Sequence, residues 1–318
     1  MKVLIADKFE AFGVEALKAA GCEVTVNPDL SGDTLAEAVG KSGCEVLIVR
    51  STKVTADIIN AASKLKMIVR AGAGYDTIDT AAATARNVRV TNCPGMNSTA
   101  VAELAMALVL ALDRRIVHNA VDLRNSVWNK KEYGKAAGIK GGTLGIVGLG
   151  KIGMLLAARA KAFEMKLLYT DVVANPTAEK ELGIRKVDLD TLLRESDYVS
   201  LHTPGGEKTK HLLGATEFAK MKPNACVINC ARGGVVDQKA LVEAIKAKRI
   251  RGAGLDVFEM EPGANDKDFK DPVVQESMVY GTHHIGASTD QAQLAVAEET
   301  VRIVRAFKEK GEVLNCVN

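Results

Sequence analysis

Thr143-Leu-Gly-Ile-Val-Gly-Leu-Gly-Lys-Ile-Gly153 is the stretch of the sequence that decides the fold. The apolar run after Thr143 predicts a buried strand, and the glycines that follow predict a turn into a helix. Gly148 permits the tight turn, Gly150 lets backbone approach a pyrophosphate, and Gly153 lets the helix lie against the strand. The N-terminus of such a helix favours phosphate because its N–H groups are unpaired and its dipole is positive there. The stretch therefore predicts a dinucleotide-binding turn.

A second predicted strand, Lys166-Leu-Leu-Tyr-Thr170, ends in an acid. Asp171 follows Gly153 by 18 positions, close to the roughly 20 residues at which dinucleotide-binding folds carry an acid that accepts hydrogen bonds from the ribose. A carboxylate there repels a 2′-phosphate, and Val172 and Val173 rather than an arginine follow it. We therefore expect NAD rather than NADP as the cofactor.

The bulk composition indicates a soluble protein of about two domains, since 318 residues are enough for two separate cores. The 42 basic and 39 acidic residues leave a formal charge of +3, which is too small to indicate a nucleic-acid partner. The most apolar run, Ala100 to Leu112, is interrupted by Glu103 and is shorter than the roughly 20 residues that span a bilayer, so no membrane contact is expected.

The cysteines are scattered, with no spacing typical of a metal site. Together with the absence of a signal peptide, they indicate reduced thiols in a cytoplasmic protein without a bound metal. The six positions are Cys22, Cys44, Cys93, Cys226, Cys230 and Cys316.

Strand-like and helix-like segments alternate along the chain, which predicts parallel sheets covered by helices on both faces. Because one set of strands precedes the glycine stretch and another begins with it, we expect an α/β protein of two doubly wound, Rossmann-like domains. The predicted strands are Val3–Ala6, Val24–Val26, Val46–Val49, Met67–Val69, Val88–Thr91, Leu144–Val147, Leu167–Tyr169, Tyr198–Leu201, Cys226–Ile228, Gly254–Val257 and Met278–Tyr280.

The predicted boundaries give a substrate domain at 1–98, a dinucleotide-binding domain at 99–286, and a C-terminal helix at 287–318 that returns to the first domain. We expect a cleft between the domains at the carboxyl ends of both sheets, where ligands of open α/β sheets bind. A long helical pattern from Ser98 to about Asn125 separates the two strand sets. Because that pattern is apolar nearly all round, it predicts burial on several sides and a homodimer formed through it.

The segment Cys226-Val-Ile-Asn-Cys-Ala-Arg-Gly-Gly-Val-Val-Asp237 predicts a strand that delivers Arg232 at its carboxyl end, followed by two glycines. The planar guanidinium is suited to two-pronged capture of a carboxylate. A surface arginine at a strand end is the simpler alternative.

Two further predicted strand ends carry acid–base residues. Gly254-Leu-Asp-Val-Phe-Glu-Met-Glu-Pro262 brings Asp256, Glu259 and Glu261, and Tyr280-Gly-Thr-His-His-Ile-Gly-Ala-Ser288 brings two of the five histidines. A histidine beside a carboxylate is a general acid/base whose pKa the carboxylate raises. Either histidine alone is more often a bystander.

Five motifs together resemble those of the NAD-dependent D-2-hydroxyacid dehydrogenases, in matching order and approximate spacing over essentially the whole chain. They are Gly-Leu-Gly-Lys-Ile-Gly153 with Asp171, His202-Thr-Pro204, Asn229-Cys-Ala-Arg-Gly-Gly234, Leu255-Asp-Val-Phe-x-x-Glu-Pro262 and His284-Ile-Gly-Ala-Ser288. Within the family, three segments of the first domain are most similar to D-3-phosphoglycerate dehydrogenases, namely Val49-Arg-Ser-x-Lys-Val-Thr55, Arg70-Ala-Gly-Ala-Gly-Tyr-Asp76 and Pro94-Gly-Met-Asn-Ser98. The last residue, Asn318, makes the resemblance one to the short form, for which inhibition by serine is not expected.

The resemblance implies that Arg232, Glu261 and His284 form the catalytic set. His284 would exchange a proton with the substrate oxygen, Glu261 would hold its imidazole, and Arg232 would bind the substrate carboxylate while hydride passes between C2 and NAD. The implied cofactor contacts are Gly148, Gly150, Lys151, Ile152, Gly153, Asp171, Thr203, Pro204, Cys230, Ala231, Arg232, Asp256, His284 and Gly286. The family usually has proline before the catalytic histidine, and His283 takes that place here. We assign His284 as the catalyst because it directly precedes Ile-Gly-Ala-Ser288.

The substrate implied by the resemblance is a phosphorylated 2-hydroxy or 2-keto acid, with 3-phosphoglycerate oxidised to 3-phosphohydroxypyruvate in serine biosynthesis. The expected substrate contacts are Arg50, Lys53, Arg70, Ala73, Gly74, Asn97, Lys130, Lys131 and Arg232. The two lysines follow the only tryptophan, and they could bind phosphate, including that of a partner subunit, or lie solvated on a surface loop. A hydroxypyruvate/glyoxylate reductase and a D-lactate-type dehydrogenase share every catalytic motif and remain alternatives. An NAD-sensing corepressor is more remote, because the chain has no low-complexity tails.

Overall fold

The computed structural model describes residues 1–262 and 268–318. They divide into two compact units. Unit 1 comprises Met1–Asn97 and Ser288–Asn318, and unit 2 comprises Ser98–Ala287. The substrate and cofactor roles expected of these regions remain predictions.

Unit 1 is an α/β layer whose residues, all of them described, form one five-stranded parallel sheet in the order β2-β1-β3-β4-β5. The four residues of the central strand β3 are all buried, as expected of a strand covered on both faces. The elements that precede unit 2 are β1 (Lys2–Ile5), α1 (Ala11–Ala19), β2 (Glu23–Val26), α2 (Gly32–Ser42), β3 (Val46–Val49), α3 (Ala56–Ala61), β4 (Met67–Arg70), α4 (Thr80–Ala85) and β5 (Arg89–Asn92).

Unit 2 contains, within its described residues, a seven-stranded parallel sheet in the order β12-β11-β10-β9-β6-β7-β8. The chain order reverses between β6 and β9, which is where open α/β sheets bind ligands. The elements are α5 (Ser98–Arg114), α6 (Ile116–Arg124), α7 (Lys130–Tyr133), β6 (Thr143–Val147), α8 (Lys151–Ala162), β7 (Lys166–Thr170), α9 (Pro176–Leu182), β8 (Arg185–Lys186), α10 (Leu189–Glu195), β9 (Tyr198–Leu201), α11 (Ala215–Lys220), β10 (Cys226–Asn229), α12 (Gln238–Lys246), β11 (Gly252–Leu255) and β12 (Val279–Gly281), with short 3-10 turns at Gly233–Val235 and Pro272–Gln275.

The last helix, α13 (Asp290–Lys310), belongs to unit 1. Thr289 caps it by accepting a hydrogen bond from the N–H of Ala292 at 3.2 Å. Its apolar face includes Val301 and Val304, and it packs into the core that contains Val3 of the sheet.

The predicted single helix from Ser98 to about Asn125 is instead two helices. The chain breaks at Arg115, whose φ of +49° is left-handed. Most apolar residues of α5 are buried in the core of unit 2 itself, so their burial does not require a partner subunit. By contrast, α6 has no buried residue. The apolar pattern correctly predicted burial of α5, and the homodimer expected through this stretch stays a prediction.

The predicted α/β class with two doubly wound parallel sheets is confirmed. One strand, β8, was not predicted, because its two exposed residues, Arg185 and Lys186, carry no apolar signal. None of the helices in residues 1–262 and 268–318 is long and apolar enough to cross a bilayer. The same residues contain no cluster of three or more histidine, cysteine or acidic side chains placed to hold a metal ion.

Candidate active site

The glycine turn between β6 and α8 forms one side of the site. Gly148 has a φ of +92°, and a Cβ there would lie 2.8 Å from the carbonyl oxygen of His202. A Cβ on Gly153 would lie 2.4 Å from the carbonyl oxygen of Gly148, so both positions require glycine. A Cβ on Gly150, the N-cap of α8, would have no described atom within 4 Å. The open space at a helix N-terminus supports the predicted pyrophosphate site, including the roles given to Lys151 and Ile152 in the first turn.

Asp171 lies at the end of β7 and is tied to the glycine turn. Its Oδ2 accepts a hydrogen bond from the N–H of Leu149 at 2.7 Å, and its Oδ1 lies 3.4 Å from the N–H donor of Val173. Val172 and Val173 are 97% and 71% exposed, so an apolar edge follows the carboxylate. This position next to the turn supports the predicted contact with the adenosine ribose.

His202 and Thr203 follow β9, on the other side of the switch point. Burial lowers the pKa of His202 to about 4, so the ring is neutral, and its Nε2 lies 2.8 Å from the hydroxyl of Ser200. The buried hydroxyl of Thr203 has no hydrogen-bond partner among the described residues. A buried polar atom without a partner is rare and is expected to meet a ligand or a water. Its place beside the glycine turn fits a polar cofactor, with Pro204 next to it exposed.

Arg232 is delivered by the end of β10. The buried side chain of Asn229 donates a hydrogen bond to the carbonyl of Arg232 at 3.0 Å and accepts one from the N–H of Ala231 at 3.1 Å. A Cβ on Gly233 would lie only 1.8 Å from the carbonyl oxygen of Phe258. Glycine at 233 therefore allows the turn after Arg232 to pack directly against the turn that carries Glu261. Cys230 and Ala231, two of the implied cofactor contacts, are both 7% exposed.

Glu261 and His284 form a hydrogen-bonded acid–base pair. Oε2 of Glu261 lies 2.7 Å from Nδ1 of His284, and Oε1 accepts the N–H of Phe258 at 3.0 Å. The hydrogen bond to Glu261 raises the pKa of His284 above its usual value, against the opposing effect of burial. Burial pushes the pKa of Glu261 upward, but the hydrogen bonds from His284 and Phe258 and the charge of Arg232 outweigh it, so the net shift is downward. The pair therefore favours imidazolium next to carboxylate.

Asp256 holds the loop that carries His284. This carboxylate is 2% exposed. Its Oδ1 accepts hydrogen bonds from Thr282 and from the N–H of Ile285, and its Oδ2 accepts the N–H of Gly286. A Cβ on Gly286 would lie 2.8 Å from that same Oδ2. The clamp stabilises His284 in a left-handed backbone conformation, with φ of +53°. Asp256 and Gly286 were both expected as cofactor contacts, and in this structure they contact each other within this clamp.

The two adjacent histidines differ in their contacts. His283 is exposed and makes no hydrogen bond with any described residue. His284 binds Glu261 through Nδ1, and its Nε2 has no hydrogen bond within the described parts of the chain. A general acid/base needs one oriented ring with one nitrogen available to the substrate. The geometry therefore favours His284 over His283.

A second histidine–carboxylate pair was not predicted. Nε2 of His211 lies 2.6 Å from Oε1 of Glu259, and its Nδ1 lies 4.0 Å from Oδ2 of Asp237. Glu259 was noted in the sequence only as one acid of a cluster. Its partner could not be found from spacing, because 48 positions separate the two residues.

The substrate contacts expected in unit 1 lie after its strands. Nη1 of Arg50 donates to Oε1 of Gln293 at 2.9 Å, and Asp7 accepts the N–H groups of residues 50, 51 and 52. Lys53 is exposed in the same segment. The Asp7 contact holds the Arg50 segment at the switch point of the unit 1 sheet, which the sequence alone did not indicate.

The second group in unit 1 follows β4 and β5. The guanidinium of Arg70 lies over Gly72, where a Cβ would be 1.6 Å from Nη1. The carbonyl of Ala73, next to Gly74, accepts the amide N–H of Asn92 at 2.5 Å. Oδ1 of Asn97 is buried without a hydrogen-bond partner in the described residues. Lys130 and Lys131 belong to unit 2, where both are exposed on α7.

The fold and the site together define a dinucleotide-binding α/β protein with an arginine and a glutamate–histidine pair at its strand ends. Residues 106–286 match the family described as D-isomer specific 2-hydroxyacid dehydrogenase, NAD binding domain. The chain belongs to this family, and it carries the family's NAD-binding domain.

Relatives with different printed activities resemble the chain. It is 42% identical over 311 residues to the D-3-phosphoglycerate dehydrogenase of Methanocaldococcus jannaschii, covering 96% of this chain and 58% of that protein. It is 46% identical over 267 residues to the glyoxylate reductase of Thermococcus litoralis, covering 82% of this chain and 79% of that protein. The chain thus spans little more than half the length of the first of these relatives.

A solved protein of Thermus thermophilus superposes with a TM-score of 0.90 at 34% identity, and the match covers 100% of both chains. The fold of the whole chain therefore has an experimental counterpart.

Proposed function

We propose that the chain is an NAD-dependent dehydrogenase that interconverts a D-2-hydroxy acid and its 2-keto acid. The observation that carries this proposal is the Glu261–His284 hydrogen bond at 2.7 Å, beside an arginine turn that Gly233 packs against Phe258. The glycine turn, Asp171 and the buried hydroxyl of Thr203 fit the pyrophosphate and adenosine parts of NAD. Bound NAD would accept hydride from C2 of the hydroxy acid, or NADH would return it to the keto acid.

Each residue of the catalytic set has a distinct part in this proposal. Arg232 binds the substrate carboxylate through its planar fork and fixes C2 relative to the cofactor. In oxidation, Nε2 of His284 takes the hydroxyl proton as the C2 hydride leaves. In reduction, the same nitrogen donates the proton to the carbonyl oxygen. Glu261 orients the ring through Nδ1 and stabilises its charged form.

For the substrate we propose 3-phosphoglycerate and 3-phosphohydroxypyruvate. The support is the 42% identity to a D-3-phosphoglycerate dehydrogenase over nearly the whole chain and the basic side chains of Arg50, Lys53 and Arg70. A hydroxypyruvate or glyoxylate reductase is the second candidate, supported by the 46% identity to the Thermococcus litoralis enzyme.

A panel of 2-keto acids tests both candidates. Oxidation of NADH would be followed with phosphohydroxypyruvate, hydroxypyruvate, glyoxylate and pyruvate at matched concentrations. The first candidate predicts the largest kcat/KM for phosphohydroxypyruvate. A larger value for hydroxypyruvate or glyoxylate would replace it with the second candidate, and no oxidation with any keto acid would overturn the dehydrogenase proposal.

We also propose that the chain forms a homodimer through α6 and the segment after it. The large apolar residues of this surface are exposed, namely Ile116, Val117, Val121, Leu123, Val127 and Trp128. Four of them, Ile116, Leu123, Val127 and Trp128, line a groove of about 730 Å³. An apolar patch of this kind is typical of an interface. Light scattering should give twice the chain mass, and Leu123→Glu should give the monomer, whereas a monomeric wild type would contradict the proposal.

A cytoplasmic location is proposed from the cysteines, all of which are free thiols and only one of which, Cys316, is exposed. Fractionation of cells that express the chain should recover it with cytoplasmic markers. Recovery in a secreted fraction with oxidised thiols would contradict this location.

A further inference from the structure

His211 is placed so that both ring nitrogens face carboxylates. Nε2 lies 2.6 Å from Oε1 of Glu259, and Nδ1 lies 4.0 Å from Oδ2 of Asp237, the N-cap of α12. The distance from Nδ1 to Asp237 is too long for a hydrogen bond, so the ring is hydrogen-bonded to Glu259 and lies near a second carboxylate. These contacts join two segments of the chain and indicate a role in holding structure.

The partner of His211 belongs to the same turn as Glu261. The N–H of Glu259 donates to Oε1 of Gln238, whose side chain is 6% exposed and whose Nε2 donates to Asp271 at 3.0 Å. One residue earlier, the N–H of Phe258 donates to Glu261. The turn 258–261 thus carries two carboxylates. That of Glu259 is hydrogen-bonded to His211, and that of Glu261 is hydrogen-bonded to His284.

The segment that carries His211 is fixed independently of this pair. The N–H of His211 donates to the carbonyl of Gly234 at 2.8 Å, and the N–H of Leu213 donates to Val235 at 3.2 Å. At the other end of the segment, a Cβ on Gly205 would lie 3.0 Å from Cγ of Arg232. The backbone of His211 is left-handed, with φ of +50°. Because its backbone is fixed in this way, His211 can restrain the position of Glu259.

We propose that His211 is a positioning residue for the acid–base pair: through its hydrogen bond to Glu259 it fixes the turn 258–261, and through that turn it fixes the distance between Glu261 and His284. The proposal rests on the proposed function only in giving the pair a catalytic use. The proposal predicts that replacement of His211 changes the pKa of His284, and this pKa can be measured without turnover.

The sign of the effect separates positioning from simple electrostatics. Through space, the replacement of His211 could only raise the pKa of His284, because any positive charge removed from that neighbourhood had repelled the imidazolium. A looser 258–261 turn would weaken the Glu261–His284 hydrogen bond and lower the pKa instead. We expect the second effect to dominate, since Glu261 contacts His284 directly and His211 does not.

The test compares two uncharged replacements in the full chain. The amide of His211→Gln can take the place of Nε2 and still donate to Glu259. His211→Asn is too short to reach Glu259, but asparagine tolerates a left-handed backbone well, so backbone strain cannot explain its effect. Lys210→Ala, an exposed neighbour, is the control. The pKa of His284 is read from the titration of its ring proton by NMR, with His284→Ala used for assignment.

We expect His211→Asn to lower the pKa of His284 by roughly 0.5–1 unit, a part of the 1–3 units that an adjacent opposite charge typically contributes. His211→Gln should retain most of the wild-type value, and Lys210→Ala should not change it. In the enzyme assay, the falling alkaline limb of keto-acid reduction should move to lower pH by the same amount in His211→Asn.

An unchanged or raised pKa of His284 in His211→Asn overturns the proposal, as does an equal fall in both variants. If His211→Asn does not fold, Glu259→Ala replaces it, because alanine cannot accept a hydrogen bond from His211, and an unchanged pKa of His284 there has the same meaning. A wild-type chain that reduces no 2-keto acid refutes the proposed function, whereas the titration still decides the positioning proposal.

Discussion

Nδ1 of His284 and Oε2 of Glu261 lie 2.7 Å apart, and the other oxygen of Glu261 accepts the N–H of Phe258. The backbone N–H of Phe258 thus positions the carboxylate of Glu261, and that carboxylate in turn orients the ring of His284. This fixes which nitrogen of His284 is occupied and leaves Nε2 for the substrate. His283, next to it in the chain, has no such partner among the described residues.

Glu261→Gln should shift the pH profile of the reaction. The carboxylate raises the pKa of His284, so its replacement by an amide lowers that pKa. Reduction needs imidazolium, and its alkaline limb should therefore fall at lower pH than in the wild type. Oxidation needs neutral imidazole, and its rise with pH should begin earlier. Profiles of kcat/KM in both directions check this, and movement of the two limbs in opposite directions would contradict it.

Gly233→Ala should disrupt the site, because its Cβ would lie 1.8 Å from the carbonyl oxygen of Phe258. Overpacking of this kind typically costs about 1–3 kcal/mol. Gly234→Ala is a matched control, since no described atom lies within 4 Å of a Cβ there. We expect Gly233→Ala to lower both Tm and kcat. Equal effects of the two variants would refute the close-approach argument.

NAD(H) should be preferred over NADP(H), because Asp171 repels a 2′-phosphate. Asp171→Asn removes the charge but keeps an oxygen that can accept the N–H of Leu149. The ratio of kcat/KM for the two cofactors should therefore narrow in Asp171→Asn without loss of the glycine turn. Comparable kcat/KM for NADH and NADPH in the wild type would contradict the prediction.

The two charged groups of the substrate, the carboxylate and the phosphate, should be bound at two separate places. Arg232→Lys should impair phosphohydroxypyruvate and hydroxypyruvate alike, because an ammonium cannot make the two-pronged contact with a carboxylate. Alanine at Arg50, Lys53, Arg70, Lys130 or Lys131 should affect only the phosphorylated substrate if that residue binds phosphate. Hydrogen bonds to charged groups contribute about 1.5–3 kcal/mol, so KM for phosphohydroxypyruvate should rise roughly ten- to a hundredfold.

Steady-state kinetics of these variants with both keto acids provides the measurement. If each of the five alanine variants changes KM for phosphohydroxypyruvate and for hydroxypyruvate by the same factor, the phosphoglycerate assignment fails. A general hydroxyacid reductase then becomes the better conclusion.

The fold was predictable from sequence because its strands are short apolar runs separated by helical periodicity. The glycine stretch ending at Gly153 identified the dinucleotide-binding sheet, and the strand-end motifs brought Arg232, Glu261 and His284 to one unit. The features that the sequence did not predict are those without an apolar pattern. β8 is exposed on both residues, and the break at Arg115 depends on a left-handed backbone that no residue type there announces.

The contacts that brace the site were also beyond the sequence. The pairing of His211 with Glu259 and the clamp of Asp256 on Gly286 join residues that are far apart in the chain. Spacing along one sequence carries no information on such partners. The identity of Asp256 was predicted, but its hydrogen bonds to the histidine loop were not.

The most direct test of the account is NADH-dependent reduction of phosphohydroxypyruvate and hydroxypyruvate by the wild type, His284→Ala and His283→Ala, with NADH binding measured in parallel. We predict that the wild type reduces at least one of them. The His284→Ala variant should lose about 10²–10⁴-fold in kcat while it still binds NADH, because general acid catalysis typically contributes that much. His283→Ala should stay within a few-fold of the wild type. A larger loss in His283→Ala than in His284→Ala would contradict the assignment of the catalyst.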